Sequence, residues 1–284
     1  MGEEYGQNVG RDALSVSSET MRHITATAHR LADAARVETL RLFRSPDLHP
    51  DNKAAQGFDP VTEADRASER AMRAILAAER PQDAILGEEY GAQPGDSGLT
   101  WVLDPIDGTR AFMAGAPSWG VLIGVTDADG PIYGIVDQPH LGERFEGGFG
   151  QARLIGRDGQ IRPLAARRGV ALAQATLMTT YPEVGSALDH AAFQQVAQRA
   201  RLVRYGLDCY AYALLAAGHI DLVIEAGLQS YDVVAPIALV QAAGGTVTDW
   251  SGGPAHHGGR ILAAGSPELH AQALELLSAV IPGD

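Results

Sequence analysis

Two aspartates three positions apart, behind a short apolar run, carry the strongest chemical signal in this sequence. Trp101-Val102-Leu103 reads as a strand that delivers Asp104 to its end. Pro105 fixes the backbone and removes a donor, and Asp107 can then fold back to share a cation with Asp104. Carboxylates this close repel each other unless something positive binds them. Oxygen donors of this kind suit a hard cation such as Mg²⁺. Gly108 and Thr109 follow, a small pair suited to presenting backbone N–H groups to a phosphate at a helix start. Taken alone, Asp-Pro-x-Asp-Gly is also a turn sequence, and both aspartates then read as turn formers.

Three more positions bear on that choice. Gly87-Glu88-Glu89 follows the strand Ala84–Leu86 and puts Glu88 at another strand end. Asp65, in Asp59-Pro60-Val61-Thr62-Glu63-Ala64-Asp65, falls in the first turn of a helix. Asp232, in Tyr231-Asp232-Val233-Val234-Ala235, opens an apolar helix that ends at Gly244-Gly245. Singly, Asp65 and Asp232 also read as ordinary helix-start residues.

The elements that must position these groups are legible from periodicity. Residues 1–18 are polar and read as a mobile tail. Helices are expected over Glu19–Arg44 and Thr62–Glu79, then strands at Ile85-Leu86 and Trp101–Leu103. Strands at Trp119–Val125 and Ile132–Val136 flank a turn at Asp127–Gly130, and a hairpin joins Phe145–Phe149 to Ala152–Ile155. From Thr176 the pattern alternates: strand Thr176–Thr179, helix Ser186–Ala200, strand Leu202–Arg204, helix Tyr210–Ala217, strand Leu222–Glu225, helix Val233–Ala243 and strand Thr246–Thr248. A sub-domain boundary is expected near residue 165, separating an α+β metal-binding sub-domain at 19–165, to which Asp232 adds from across the boundary, from an α/β sub-domain at 166–284.

Composition narrows the function. The 284 residues carry a formal net charge of −13, which disfavours a broad nucleic-acid footprint. An acidic chain that handles phosphate needs cations between the meeting charges. One cysteine, Cys209, excludes an intrachain disulfide and a thiolate zinc site. Cys209 reads as a buried small residue rather than a nucleophile. With no apolar leader and no 18-residue apolar run, a cytoplasmic location is expected.

Together the segments resemble the inositol monophosphatase superfamily, from about residue 20 to the C-terminus. Trp101–Thr109 and Tyr231–Gly245 are the two signatures, with Gly87-Glu88-Glu89 and Asp59–Asp65 in the family's order. The resemblance implies a layered α/β/α/β/α sandwich, with an antiparallel sheet dominating the N-terminal part and a smaller mixed sheet after it. It implies metal ligation by Glu88, Asp104, Asp107, Asp232 and the backbone carbonyl of Ile106, with two or three Mg²⁺ per site. It also implies that Asp65, Thr109 and Glu88 serve catalysis, Asp65 and Thr109 by orienting the attacking water. The N–H groups of Gly108 and Thr109 become the phosphate cradle. A small phosphorylated metabolite is the expected partner, and a homodimer the expected assembly.

Within the superfamily, Arg204–Tyr212, with Arg110-Ala111-Phe112 and Ile224-Glu225-Ala226-Gly227, resembles the histidinol-phosphate phosphatase branch of histidine biosynthesis. That branch usually carries Gly-Gly-Asp-Cys-Tyr, and this chain has Leu207 at the second glycine. Asp208 and Glu225 are candidates to pair with the ammonium and imidazole of histidinol phosphate. Asp208 also reads as a helix N-cap, and Arg110 as either a substrate contact or a surface group. The alternatives are an inositol-1-phosphate or broad-range sugar phosphatase and, against the intact carboxylate set, a non-catalytic phosphate-binding scaffold.

Overall fold

The computed structural model describes residues 16–52 and 60–281. Most of the expected tail and the segment 53–59, with Asp59, lie outside the described residues.

Helix α1 (Ser18–Leu42) is capped by Ser17, whose hydroxyl accepts from the Thr20 N–H. Strands β1 (Pro50–Asn52) and β2 (Pro60–Thr62) form a two-stranded pair. Helix α2 (Glu63–Glu79) starts at Thr62 with a capping box closed by Asp65. Then come β3 (Ala84–Gly87), β4 (Gly91–Gln93), β5 (Thr100–Asp107), the short α3 (Thr109–Met113), β6 (Gly120–Asp127), β7 (Gly130–Gln138), β8 (Glu143–Gly148), β9 (Gln151–Ile155) and β10 (Ile161–Pro163). The remainder is β11 (Thr176–Thr179), α4 (Ala187–Ala197), β12 (Leu202–Tyr205), α5 (Cys209–Ala216), β13 (Leu222–Leu228), α6 (Ser230–Ala242), β14 (Thr246–Thr248), β15 (Gly259–Ala264) and α7 (Pro267–Ser278).

The strands build an eight-stranded sheet, order β10-β9-β8-β7-β6-β5-β3-β4, antiparallel except where β3 runs parallel to β5. A five-stranded mixed sheet follows, order β12-β11-β13-β15-β14. Three apolar clusters give the layering. One joins α1 and α2 to one face of the large sheet through Trp101, Leu103, Val121 and Ile123. A second places α5 and α6 between the sheets, with Leu122 and Val136 on one side and Val223 and Ala263 on the other. The third packs α4 and α7 on the outer face of the small sheet through Leu177 and Leu262. Alternate residues of one strand feed different clusters, as the period of two requires. The result is the expected α/β/α/β/α sandwich.

The site depends on how α6 lies on the large sheet. Gly124, Gly134 and Gly147 are cross-strand neighbours on β6, β7 and β8. A Cβ at Gly124 would come 2.4 Å from Val234 Cγ1, at Gly134 2.3 Å from the Ala235 oxygen, and at Gly147 2.5 Å from Leu239 Cα. The row is a trough that lets α6 approach the sheet backbone closely.

Several elements differ from expectation. β5 extends through Asp107 instead of stopping near Leu103, with its pairing to β6 irregular between Asp104 and Asp107. The chain turns only at Gly108, φ +82. β4 and β10 are three-residue strands with no apolar signal. β15 and α7, beyond the last expected strand, complete the small sheet and the helix layer outside it.

Under α1 the sheet carries a buried charge network. Asp137 accepts from Arg36 at 2.9 and 2.8 Å and from Arg144 at 2.7 Å. Arg144 also donates to His29 Nδ1, so the ring proton sits on Nε2 and faces Glu146. Tyr133 and Arg153 donate to the same carboxylate. Burial pushes Glu146 up, but the bonds from His29, Arg153 and Tyr133 outweigh it and hold it at about 2. Its ordinary value is 4.5, so this pairing stabilises the fold fully above about pH 4.5. The contribution is lost as pH falls toward 2. Glu146→Gln is expected to lower Tm at pH 7 by roughly 5 °C, with the gap to the parent closing between pH 4.5 and 2 in a pH series of melts.

Candidate active site

The ends of β3 and β5, the starts of α3, α5 and α6, and the far end of β13 surround a cavity of about 410 Å³. Glu88, Asp104, Ile106, Asp107, Gly108, Thr109, Arg110, Asp208, Glu225 and Asp232 all line it. Asp65 is not among the described lining residues. It is buried in the first turn of α2, where Oδ2 accepts from the Thr62 N–H at 2.8 Å and the Thr62 hydroxyl at 2.5 Å.

The parallel register of β3 and β5 sets Gly87 beside Leu103, so Glu88 and Asp104 leave the sheet side by side. Glu88 N–H still bonds to the Leu103 carbonyl at 3.1 Å. The irregularity in β5 then brings Asp107 back toward Asp104, and α6 supplies Asp232 from the opposite side. Carboxylate oxygens of Asp104, Asp107 and Asp232 lie within 4.8 Å of one another. Glu88 stands against Asp104 and adds to its repulsion, though it lies outside that tightest group. Each of the three aspartates is fastened by a backbone N–H: Asp104 by Ile106 at 3.0 Å, Asp107 by Cys209 at 2.6 Å, Asp232 by Gln229 at 2.7 Å.

Electrostatics marks the cluster as a cation site. Burial, then the charges of Glu88, Asp107 and Asp232, push Asp104 well above the usual carboxylate range. Burial, then Asp208 and Asp232, do the same to Asp107. Burial raises Asp232 to about 6, against the Gln229 hydrogen bond. Such a group resists ionisation unless positive charge joins it. The donors are all hard oxygens, and burial keeps the neighbouring Cys209 thiol protonated. This set fits a hard divalent cation and not a soft one.

Two other candidates line the same cavity. Asp208 occupies the N-cap position of α5, yet its side chain makes no capping bond: the Tyr210 and Ala211 N–H groups go to the Leu207 and Asp208 carbonyls, and the Cys209 N–H goes to Asp107. Asp208 is thus not spent as a cap. Leu207 (φ +81) and Asp208 (φ +46) both hold left-handed backbone that ordinary side chains avoid, directly after Gly206 at φ +90. This turn brings Asp208 so close to Gly108 that a Cβ there would lie 2.8 Å from its carboxyl carbon. Burial, then the charge of Glu225, raise Asp208 to about 7, with Arg110 opposing. Glu225 is buried and held by the Thr180 N–H at 3.0 Å, the Thr180 hydroxyl and the Tyr212 hydroxyl at 3.2 Å. Arg110 lies at the exposed rim, donating to the Tyr181 hydroxyl at 3.0 Å across the mouth. Thr109 turns its hydroxyl proton to the Ile106 carbonyl at 3.1 Å. Thr180, Tyr181 and Tyr212 escape sequence reading because only the sheet-to-sheet packing brings them to the cavity.

Residues 20–281 match the inositol monophosphatase family. The chain belongs to that family. It is 38% identical over 283 residues to the bifunctional phosphatase IMPL2, a chloroplastic protein of Arabidopsis thaliana, covering 95% of this chain and 80% of that one. It is 34% identical to a histidinol-phosphatase of Streptomyces coelicolor, covering 88% and 95%. An inositol monophosphatase from Zymomonas mobilis superposes with a TM-score of 0.80 at 39% identity, over 93% of this chain and all of that structure. As an inositol monophosphatase family member the chain is a metal-dependent phosphoric monoester hydrolase acting on small phosphorylated compounds. Among its described residues no helix is long and apolar enough to cross a membrane.

Asp104→Asn removes one charge from the cluster while keeping its shape. It is expected to lower kcat by about 10²–10⁴ at saturating Mg²⁺ and to weaken Mn²⁺ binding. Near-parental values in both measurements would contradict the cation assignment.

Proposed function

We propose that this phosphatase hydrolyses the phosphate ester of a small cationic alcohol, with histidinol phosphate the best fit. The observation that carries this reading is the Asp208 carboxylate, free of any capping bond and set in the cavity wall against Gly108. Glu225 lies close enough to raise its pKa. An ammonium and an imidazolium would relieve that repulsion between two carboxylates, which a neutral polyol would not. The Streptomyces coelicolor histidinol-phosphatase supports the same reading.

In this reading Asp104, Asp107, Asp232, Glu88 and the Ile106 carbonyl hold two or three Mg²⁺. Bound there, the ions supply Lewis acidity and offset charge developing on the phosphoryl and leaving oxygens. The chain's own groups do the positioning. N–H groups of Gly108 and Thr109 face the phosphate, and Asp65 and Thr109 orient a water for in-line attack. The new P–O bond forms to that water, the ester P–O bond breaks, and the alcohol leaves with a proton. The second reading, inositol 1-phosphate, draws on the Zymomonas mobilis enzyme and on the fixed Glu225 carboxylate, which suits a polyol hydroxyl as well.

Phosphate release from L-histidinol phosphate and myo-inositol 1-phosphate, measured side by side, decides between them. We expect release only with Mg²⁺, lost with EDTA, and a clear preference for histidinol phosphate. Asp208→Ala should raise KM for histidinol phosphate about tenfold or more, the scale of a lost ion pair, and leave inositol phosphate turnover nearly unchanged. Equal or better turnover of inositol phosphate by the parent would assign the second reading.

A further inference from the structure

Glu88 leaves the end of β3 beside Asp104. The turn that carries it, Gly87 to Gly91, is gripped from α2 by Glu69. This side chain is fully buried, one helical turn beyond Asp65 and on the same face. Its Oε2 accepts from the Glu89 N–H at 2.7 Å, and its Oε1 from the Tyr90 N–H at 3.3 Å and Arg73 Nε at 2.7 Å. Arg73 completes the grip by donating to the Gly91 carbonyl. On the other side of Glu88, a Cβ at Gly87 would fall 1.9 Å from Glu69 Oε1, so the carboxylate fills the space a side chain would need. Residues on both sides of Glu88 are therefore fixed by one buried acid.

We propose that Glu69 is a positioning residue for Glu88: it holds the Gly87–Gly91 turn so that the Glu88 carboxylate meets the cation cluster. The inference rests on Glu88 being a metal ligand, and it reaches one step further out. An apolar side chain in this place would satisfy neither N–H, and a glutamine would point an N–H donor at one of them or at Arg73.

The test uses the full chain with Mn²⁺ as the probe, bound ion being counted by the loss of the free-ion EPR signal. Four variants are compared with the parent: Glu69→Gln, Arg73→Ala, Glu88→Gln and Leu76→Ala. Leu76 is buried on the same helix and serves as the control for lost packing. We expect Glu69→Gln to weaken Mn²⁺ binding about tenfold, the range found when groups behind metal ligands are removed, with KM for the phosphate ester unchanged at saturating metal. Leu76→Ala should lower Tm with Mn²⁺ affinity within about twofold of the parent. If Glu69→Gln loses Tm in the same way but keeps parental Mn²⁺ affinity, while Glu88→Gln loses it, the positioning role is overturned and the ligand role of Glu88 stands. Parental Mn²⁺ affinity in Glu88→Gln would overturn the ligand reading, and the Glu69 inference with it. Should Glu69→Gln fail to fold, Arg73→Ala decides. Weaker Mn²⁺ binding there supports the grip, and unchanged binding overturns it.

Discussion

Mutual repulsion among buried carboxylates is the constraint from which most of this structure follows. Asp104, Asp107 and Asp232 share a space only 4.8 Å across, with Glu88 against Asp104. In a medium of low polarity such groups would separate or take up protons unless the backbone held them. The chain answers with one backbone N–H per aspartate, drawn from three different places: the end of β5, the start of α5 and the start of α6. Each tether occupies one acceptor position and holds its carboxylate in the shared space against the repulsion.

The glycine row under α6 is the mechanical counterpart of that electrostatics. Asp232 belongs to the small-sheet half of the chain, yet it must reach acids carried by the large sheet. Removing side chains at Gly124, Gly134 and Gly147 lets α6 sink onto the large sheet, and its first turn then meets β5. The middle layer belongs to both sheets, and the cavity is lined from both. Strain concentrates at the same junction. Leu207 and Asp208 hold unfavourable backbone in order to present one carboxylate, and the surrounding core, with Cys209, Ala211 and Tyr212 buried, keeps them there.

Much of this was legible in the sequence because the relevant signals are local. Thr62 and Asp65 announce the start of α2 by their capping spacing, and alternating strands and helices after Thr176 announce the mixed sheet. The carboxylates of the cation cluster are recognisable because each follows a strand or opens a helix. What local pattern does not carry is the partner of each group. Asp208 has every mark of a helix cap, but the N–H groups a cap would take, those of Tyr210 and Ala211, bond to the Leu207 and Asp208 carbonyls, and the Cys209 N–H makes a long-range bond to Asp107 that no spacing predicts. Glu69 looks like a surface glutamate on an amphipathic helix until β3 is packed against it. Edge strands such as β4 and β10 owe their conformation to their neighbours rather than to their own residues.

The tether on Asp107 also fixes when the centre comes into being. Its N–H donor, Cys209, lies 102 residues further along the chain. A ribosome therefore finishes the strand that bears Asp104 and Asp107 long before it makes the group that fastens Asp107, and Asp232 emerges later still. The cluster is thus complete only once α5 and α6 have been made and packed against β5, and no product that stops short of Asp232 carries all three aspartates.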